Sequence, residues 1–531
     1  MGNHLIKRSM LTVSVALLVG SSGLSHATNG YFAHGFGTKA KGMGGVGMAI
    51  SQDAFAPATN PAGIAGMESR IDGALAYFRP ERSYEVFGPG LEPTDFETIA
   101  ENLDITEENL EEGLAAAANE LGVSVEELED ALSGDDDGGL LDDPGALLDA
   151  STLEEIADDL DESPDRVAAA MDALFLSLVE ETLVPLNTNN QKIESRERNF
   201  FIPSFGFVRQ IDERSSWGVT VVGNGGLNTN YPGFENNEGC SGPAGSPIGT
   251  QTGPFCEGAA GVDLMQLMVL PTFATSFGEQ GQWRFGFSPV ISYQRFEAYG
   301  LGQFEQFSES PDHVSDNGYD DSWGYGVRLG MQTDIGDWAS VGASYQSRQR
   351  HGGFDDYRGL FAEQGSFDIP STWGVGAAIY ITPRLTVAAD YSQINYSEVD
   401  SVGNSVTRLT EDGERLGSSR GPGFGWDDID IYKVGVQYET RGNWTFRAGY
   451  NYGQNPVSAD EVTLNILAPG VIKEHYTVGA TRQIGDRMEL SFSAMYAPKE
   501  SVRGEHAFFD QQDVEIEMSQ YEIEVGIGYR F

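Results

Sequence analysis

Three runs in this chain have residue types and spacings that chemistry uses. Gly42-Met-Gly44-Gly-Val-Gly47 matches the GxGxxG phosphate cradle, and Gly417-Ser-Ser419-Arg-Gly421 matches the GxSxG turn of serine hydrolases. Asp135-Asp-Asp137 with Asp142-Asp143 offers oxygen ligands to calcium. Each pattern needs a context that is missing. A dinucleotide site requires a strand before the glycines, a helix after them and an acidic residue about twenty positions on. A nucleophile elbow requires a strand–turn–helix, whereas Ser419 lies in a Gly/Ser-rich loop. The aspartates do not have EF-hand spacing, and a solvated acidic surface is the plainer reading. His34, His313, His351, His475 and His506 are scattered, with no spacing that suits a metal. We therefore expect no catalytic site, no metal and no cofactor.

The elements that would position any site are clearer, beginning at the C-terminus. Tyr521, Ile523, Val525, Ile527, Tyr529 and Phe531 alternate with Glu522, Glu524, Gly526, Gly528 and Arg530. In a strand that alternation gives one apolar and one polar face, as a wall between lipid and a wet lumen requires. A terminal strand ending on an aromatic resembles the assembly signal of bacterial outer-membrane barrels. At the other end, Lys7 and Arg8 precede an apolar run (MLTVSVALLVG, residues 10–20), and Ser25-His26-Ala27 offers a cleavage site. Residues 1–27 read as a signal peptide; the alternative, a membrane anchor, needs a longer apolar run. Cys240 and Cys256 are the chain's two cysteines, close together in a Gly/Pro/Asn-rich stretch, and in an exported protein they read as a local disulfide. The net charge of −48 excludes nucleic acid as a partner.

From residue 193 onward, alternating segments are joined by short and long connections in turn. The short ones are residues 211–216, 278–282, 335–337, 382–384, 440–443 and 485–487. Short turns on one rim and long loops on the other describe a transmembrane barrel. One strand near residues 71–82, one on each side of every short turn and the terminal strand give about fourteen antiparallel strands within residues 68–531. An even count puts both chain ends on the periplasmic side. Residues 91–186 interrupt the barrel as an outer loop whose only base is Arg166. Ser124 with Glu127 forms a capping box and Ser163-Pro164 a helix start, so this acidic insertion reads as a small helical cap.

Residues 28–67 have neither helical nor strand periodicity, yet they are apolar and glycine-rich. Tyr31, Phe32, Phe36 and Phe55 are poorly tolerated in water, which favours a plug folded up into the barrel. At Asp53-Ala54 followed by Thr59-Asn60-Pro61-Ala62, the chain resembles the FadL family of outer-membrane transporters for long-chain fatty acids and other hydrophobic compounds. The likeness extends to Trp217-Gly218 with Gly225-Gly226-Leu227, to Ser366-Phe-Asp-Ile-Pro370 followed by Trp373, and to Asn443-Trp444-Thr445-Phe446-Arg447 with Asn455-Pro456-Val457. The resemblance implies a monomeric fourteen-stranded barrel closed by a hatch at Asn60, Pro61 and Ala62. It also implies capture by outer loops, an inner apolar pocket near the N-terminus, and sideways release through a kinked third strand. Gly223, Asn224, Gly225 and Gly226 are the candidate lateral gate, because glycine weakens strand pairing; a tight lumen against the plug would also demand them.

Passive uptake of a hydrophobic small molecule is the leading expectation, in the outer membrane of a Gram-negative bacterium. Membrane lipid, lipopolysaccharide and the barrel assembly machinery would be its other partners. The alternatives are an adhesin or binding protein using the acidic cap, and a lipid-modifying enzyme of the outer membrane. Strand parity turns Arg328, Lys433 and Arg447 into the lumen, beside Asp390, Glu489, Glu522 and Glu524. Whether the solute is a fatty acid or an uncharged hydrocarbon stays open.

Overall fold

The structure is a computed structural model that describes residues 28–87, 192–233 and 258–531 apart from 508. Between those blocks it describes scattered positions: 114, 117, 118, 121, 123–125, 128, 166, 167, 254 and 255. The expected signal peptide and the Cys240–Cys256 disulfide lie outside the described residues.

One antiparallel sheet holds sixteen strands, of which Ile193–Glu194 and Arg350–His351 are two-residue additions. The other fourteen form the wall: β1 (Arg70–Phe87), β2 (Phe200–Gln210), β3 (Ser215–Asn228), β4 (Gly261–Phe277), β5 (Trp283–Tyr299), β6 (Asp320–Ile335), β7 (Ala339–Gln346), β8 (Thr372–Thr382), β9 (Leu385–Ile394), β10 (Ile429–Glu439), β11 (Trp444–Gly453), β12 (Glu474–Ile484), β13 (Met488–His506) and β14 (Phe509–Arg530). Each strand pairs with the next, and β14 returns to β1 from Arg70↔Arg530 to Phe87↔Asp513, so the barrel is closed. The six short connections expected from sequence join β2–β3, β4–β5, β6–β7, β8–β9, β10–β11 and β12–β13. Among the described residues no helix is long and apolar enough to cross a membrane. This chain crosses with strands.

Side-chain period sorts the faces. On β6, Trp323, Tyr325, Val327, Leu329 and Met331 are exposed outward while Arg328 and Gln332 are buried inward. On β14, Tyr521, Ile523, Val525, Ile527 and Tyr529 face out, with Gln520, Glu522 and Glu524 buried. An exposed apolar band with aromatics along it is what a lipid-facing wall demands. In the acidic insertion, Leu114, Ala117, Ala118 and Leu121 are helical and buried at the i, i+3, i+4, i+7 spacing of one helix face.

The lumen is filled by residues 28–67, most of them buried and none exposed. Thr38–Lys41 makes one helical turn, and two 3₁₀ turns, Ala56–Ala58 and Pro61–Ile64, follow. The GxGxxG match lies in this plug. Gly45 sits at φ +81°, where L side chains rarely go, with the His34 carbonyl packed against it. The amide of Gly47 donates to Asp390 Oδ2 at 2.7 Å. These glycines shape a turn that fits a wall.

Candidate functional site

The base of the plug, residues 37–67, is bolted to the wall by polar contacts. Asn60 is extended (φ −142°, ψ 108°) before Pro61, as the proline ring prefers, and its Oδ1 caps the turn by accepting from the Ala62 amide at 3.1 Å. Its Nδ2 donates to the carbonyls of Met48 (2.7 Å), Met331 (3.0 Å) and Ala343 (3.3 Å). One side chain thus ties two parts of the hatch to β6 and β7. A Cβ on Gly330 would lie 2.0 Å from Asn60 Oδ1, so only glycine admits this approach.

On the opposite wall the contacts are ionic. Lys41 pairs with Glu522 (2.9 Å) and Glu524 (2.7 Å), and Lys39 pairs with Glu489. Glu489 also receives Arg70 and Arg530, and Arg70 is held by Asp72 at 2.6 Å. Burial alone would lower the Lys41 ammonium, but the two carboxylates overcome it and hold the group above its ordinary value. Burial pushes the Asp53 carboxyl up to about 6, against the pull of Lys39. Three of the lumen acids that parity exposes, Glu489, Glu522 and Glu524, are therefore partners of hatch lysines, which sequence reasoning missed. Lys39 and Lys41 are the plug's only cations, and that alone was the signal.

The three basic candidates are indeed inward, but each is occupied. Arg328 donates to the Ala58 and Thr59 carbonyls of the hatch and to Gln346. Lys433 Nζ donates to the His34 carbonyl at 3.0 Å. Arg447 reaches Gln52, Gln437 and Thr481. They hold the hatch in place, and none presents a free charge to a solute.

The tip of the plug, residues 28–36, is held differently. Tyr31 and Phe32 are buried among aromatics of the outer loops: Tyr31 lies 5.2 Å from Tyr396, 5.6 Å from Trp426 and 6.1 Å from Phe367. Phe36 packs against the cluster of Phe55, Val222 and Met268. A half-open cleft is lined by Val262, Phe296, Leu301, Phe304, Phe361 and Phe424 among others, with Ser401 its sole polar side chain. Aromatic contacts run from it without interruption. Phe296 meets Phe361 at 4.8 Å, Phe361 meets Phe367 at 4.9 Å, and Phe367 meets Tyr31.

That series ends at a break in the wall. β2 and β3 pair only from Gln210↔Ser216 to Phe205↔Val221. Above this, residues 200–204 of β2 stay on β1 while residues 222–228 of β3 stay on β4, with a bulge between Gly223 and Gly225. Asn224 is the extra residue, and its Nδ2 donates to Gln266 at 2.8 Å. Pro203 has no amide to give a ladder, a signal in β2 that sequence reading did not use. The freed edge of β3 pairs with the plug instead. Ala33 N donates to the Asn224 carbonyl (2.9 Å) and Gly226 N to the Tyr31 carbonyl (3.1 Å). A Cβ on Gly225 would lie 1.8 Å from the Tyr31 oxygen. The candidate glycines thus lie where the plug approaches closely and where β2 and β3 have stopped pairing.

Three comparisons with known proteins agree with this architecture. Residues 281–531 match the family described as outer membrane protein transport protein (OMPP1/FadL/TodX). The chain is 19% identical over 346 residues to the long-chain fatty acid transport protein of Escherichia coli O6:H1, covering 57% of this chain and 70% of that one. The Pseudomonas putida toluene transporter TodX superposes with a TM-score of 0.55 at 14% identity, covering 94% of this chain and 99% of its own. A Pseudomonas aeruginosa FadL homologue superposes at 0.55 with 12% identity, covering 94% and 100%. At such identities the two structures speak for the fold.

Proposed function

We propose that this chain, a member of the FadL/TodX family of outer-membrane transporters of hydrophobic compounds, takes up apolar solutes passively and releases them sideways. The observation that carries the reading is the contrast between a base closed by charges and a wall gap whose free β3 edge is paired with the apolar plug tip. An apolar solute is favoured in the aromatic cleft and opposed by the ion-paired base, where it would separate charges without solvating them. The low-resistance way out is past Phe32 into lipid between β2 and β3. Moving the tip breaks two backbone hydrogen bonds, a net cost of about 1–3 kcal/mol, and uncovers apolar surface that an arriving solute covers again. Asn60, Pro61 and Ala62 hold the hatch pose, and Gly223, Asn224, Gly225 and Gly226 form the gate. No titration, metal or covalent step is required. The outer face would meet lipid and lipopolysaccharide, with the strand ending at Phe531 presented to the barrel assembly machinery.

Deleting Asn224 tests this. Without the extra residue β3 should run regularly and continue its pairing with β2. The barrel should assemble normally, while uptake of labelled oleate and toluene in a host lacking its own transporter falls to background. Undiminished uptake at equal expression would refute the sideways route.

A further inference from the structure

On the fourteen wall strands, the outward positions next to the short turns hold two charged residues and no carboxylate: Arg209 on β2 and Arg482 on β12. Each faces an exposed indole across its strand pair, Arg209 opposite Trp217 and Arg482 opposite Trp444. The Arg482 guanidinium lies over the Trp444 ring at 5.1 Å, and that of Arg209 over the exposed Phe531 ring at 5.9 Å. Arg482 donates from Nη1 to the Gly442 carbonyl at 2.8 Å, in the turn that also carries the exposed Arg441. Glu439, the acid before that turn, has inward parity and accepts from Gln437 at 3.2 Å. Arg209, Arg441 and Arg482 form no ion pair with a carboxylate among the described residues. The outer rim is built the other way. There Lys192 and Lys499 pair with Glu517, Arg198 with Glu194 and Arg503 with Asp513. In a chain of net charge −48, acids to neutralise the turn-side arginines are plentiful, yet none is placed beside them.

A guanidinium at the edge of the apolar band faces the headgroup layer, where phosphate is the abundant acceptor. The aromatic ring covers one face of the cation and leaves N–H groups on its edge to donate. That planar fork matches two phosphate oxygens, which a lysine ammonium would meet only as a point charge. We propose that Arg482 with Arg441, and Arg209 on the far side of the barrel closure, bind the phosphates of phospholipids in the periplasmic leaflet. Anionic headgroups are preferred, because they bring no ammonium of their own against the arginines. Trp444, Trp217 and Phe531 then lie along the first carbons of the acyl chains, so each bound lipid fixes the depth of the short turns. At Arg209 the lipid stands beneath the wall gap. The β2–β3 pairing stops at Phe205, four residues further up, a rise of about 14 Å. Half the hydrocarbon core is about 15 Å, so the chain ends reach the level at which the two strands part. Lipid binding here does not depend on the route a solute takes.

Native mass spectrometry of the full chain, released from bilayer discs holding equal phosphatidylglycerol and phosphatidylcholine, tests the site. Phosphatidylglycerol should be retained over phosphatidylcholine by about fivefold or more, the factor for one arginine near an anionic lipid. The triple change Arg209→Gln, Arg441→Gln and Arg482→Gln should abolish that preference. Arg482→Gln alone should remove part of it, and it carries the test should the triple variant fail to assemble. Lys499→Gln, at the outer rim, should leave the preference intact; an equal loss there would mean that net charge alone is read, and would overturn the site. Excess inorganic phosphate should not displace the retained lipid, and displacement would mark an anion site in place of a lipid site. Equal retention of the two lipids, or a preference that survives the arginine changes, would likewise overturn the proposal.

Discussion

The two ends of the plug are built from opposite materials. The base holds the wall through Lys39 and Lys41 with Glu489, Glu522 and Glu524, through Asp390 on the Gly47 and Met48 amides, and through Asn60 on β6 and β7. The tip holds through two ladder bonds, the Tyr396 hydroxyl on the Asn29 carbonyl, Lys433 on the His34 carbonyl, and tilted or edge-on ring contacts. Buried charges resist apolar solutes and are costly to separate one at a time. Aromatic contacts are non-directional, and a solute can replace them ring for ring. A hatch so divided can yield at the tip while its base stays shut, which is what sideways release asks of it.

The largest effect should come from unbalancing the base. Lys41→Met leaves Glu522 and Glu524 buried without their cation, a loss of about 3–5 kcal/mol. Single-channel conductance in planar bilayers should rise while the barrel remains heat-modifiable. Adding Glu522→Gln and Glu524→Gln should return it towards the closed level. Tyr31→Ala, at the tip, should leave conductance low; a rise equal to that of Lys41→Met would erase the distinction between the two ends.

A smaller rise is expected from Asn60→Ala, which strips one donor group from three carbonyls and removes the turn cap, about 1–3 kcal/mol in all. Solute release should change while assembly stays normal. Conductance and uptake both at wild-type level would mean that the hatch pose does not depend on this side chain.

The smallest effect is a pH dependence. Burial raises Asp53 to about 6, above its unfolded value of about 4. The seated hatch therefore binds the extra proton between those values, and its stability falls as pH rises through that window. Asp53→Asn keeps the acceptor used by the Phe55 amide. It should be seated more firmly than wild type above pH 6 and equally below pH 4. Leak conductance read from pH 4 to 8 should diverge in that order; divergence towards low pH would reverse the sign.

Much of this was legible in the sequence because barrel strands are a period-2 code. The outward residues of β6, β11 and β14, the six short connections and the strand total all follow from alternation and turn chemistry. Parity also turned Arg328, Lys433 and Arg447 inward. It could not say what they meet there, because partners come from residues hundreds of positions away, such as Ala58 for Arg328 and His34 for Lys433. The outer end of β1 was missed for a simpler reason. Ending the first strand near Arg82 hid its last residues, which the pairing with β14 extends to Phe87. The pairing of Tyr31 and Ala33 with the edge of β3 left no local trace beyond the glycines and Pro203.

Locking the base tests the central claim most directly. A Cβ on Gly526 would lie 3.2 Å from the Thr38 Cβ, close to the spacing of a disulfide. Thr38→Cys with Gly526→Cys should therefore cross-link the hatch base to β14 under oxidising conditions. If solute leaves sideways past the tip, oxidised protein should take up labelled oleate at nearly the rate of the reduced protein. Uptake that stops on oxidation and returns on reduction would mean that solute passes through the base into the periplasm.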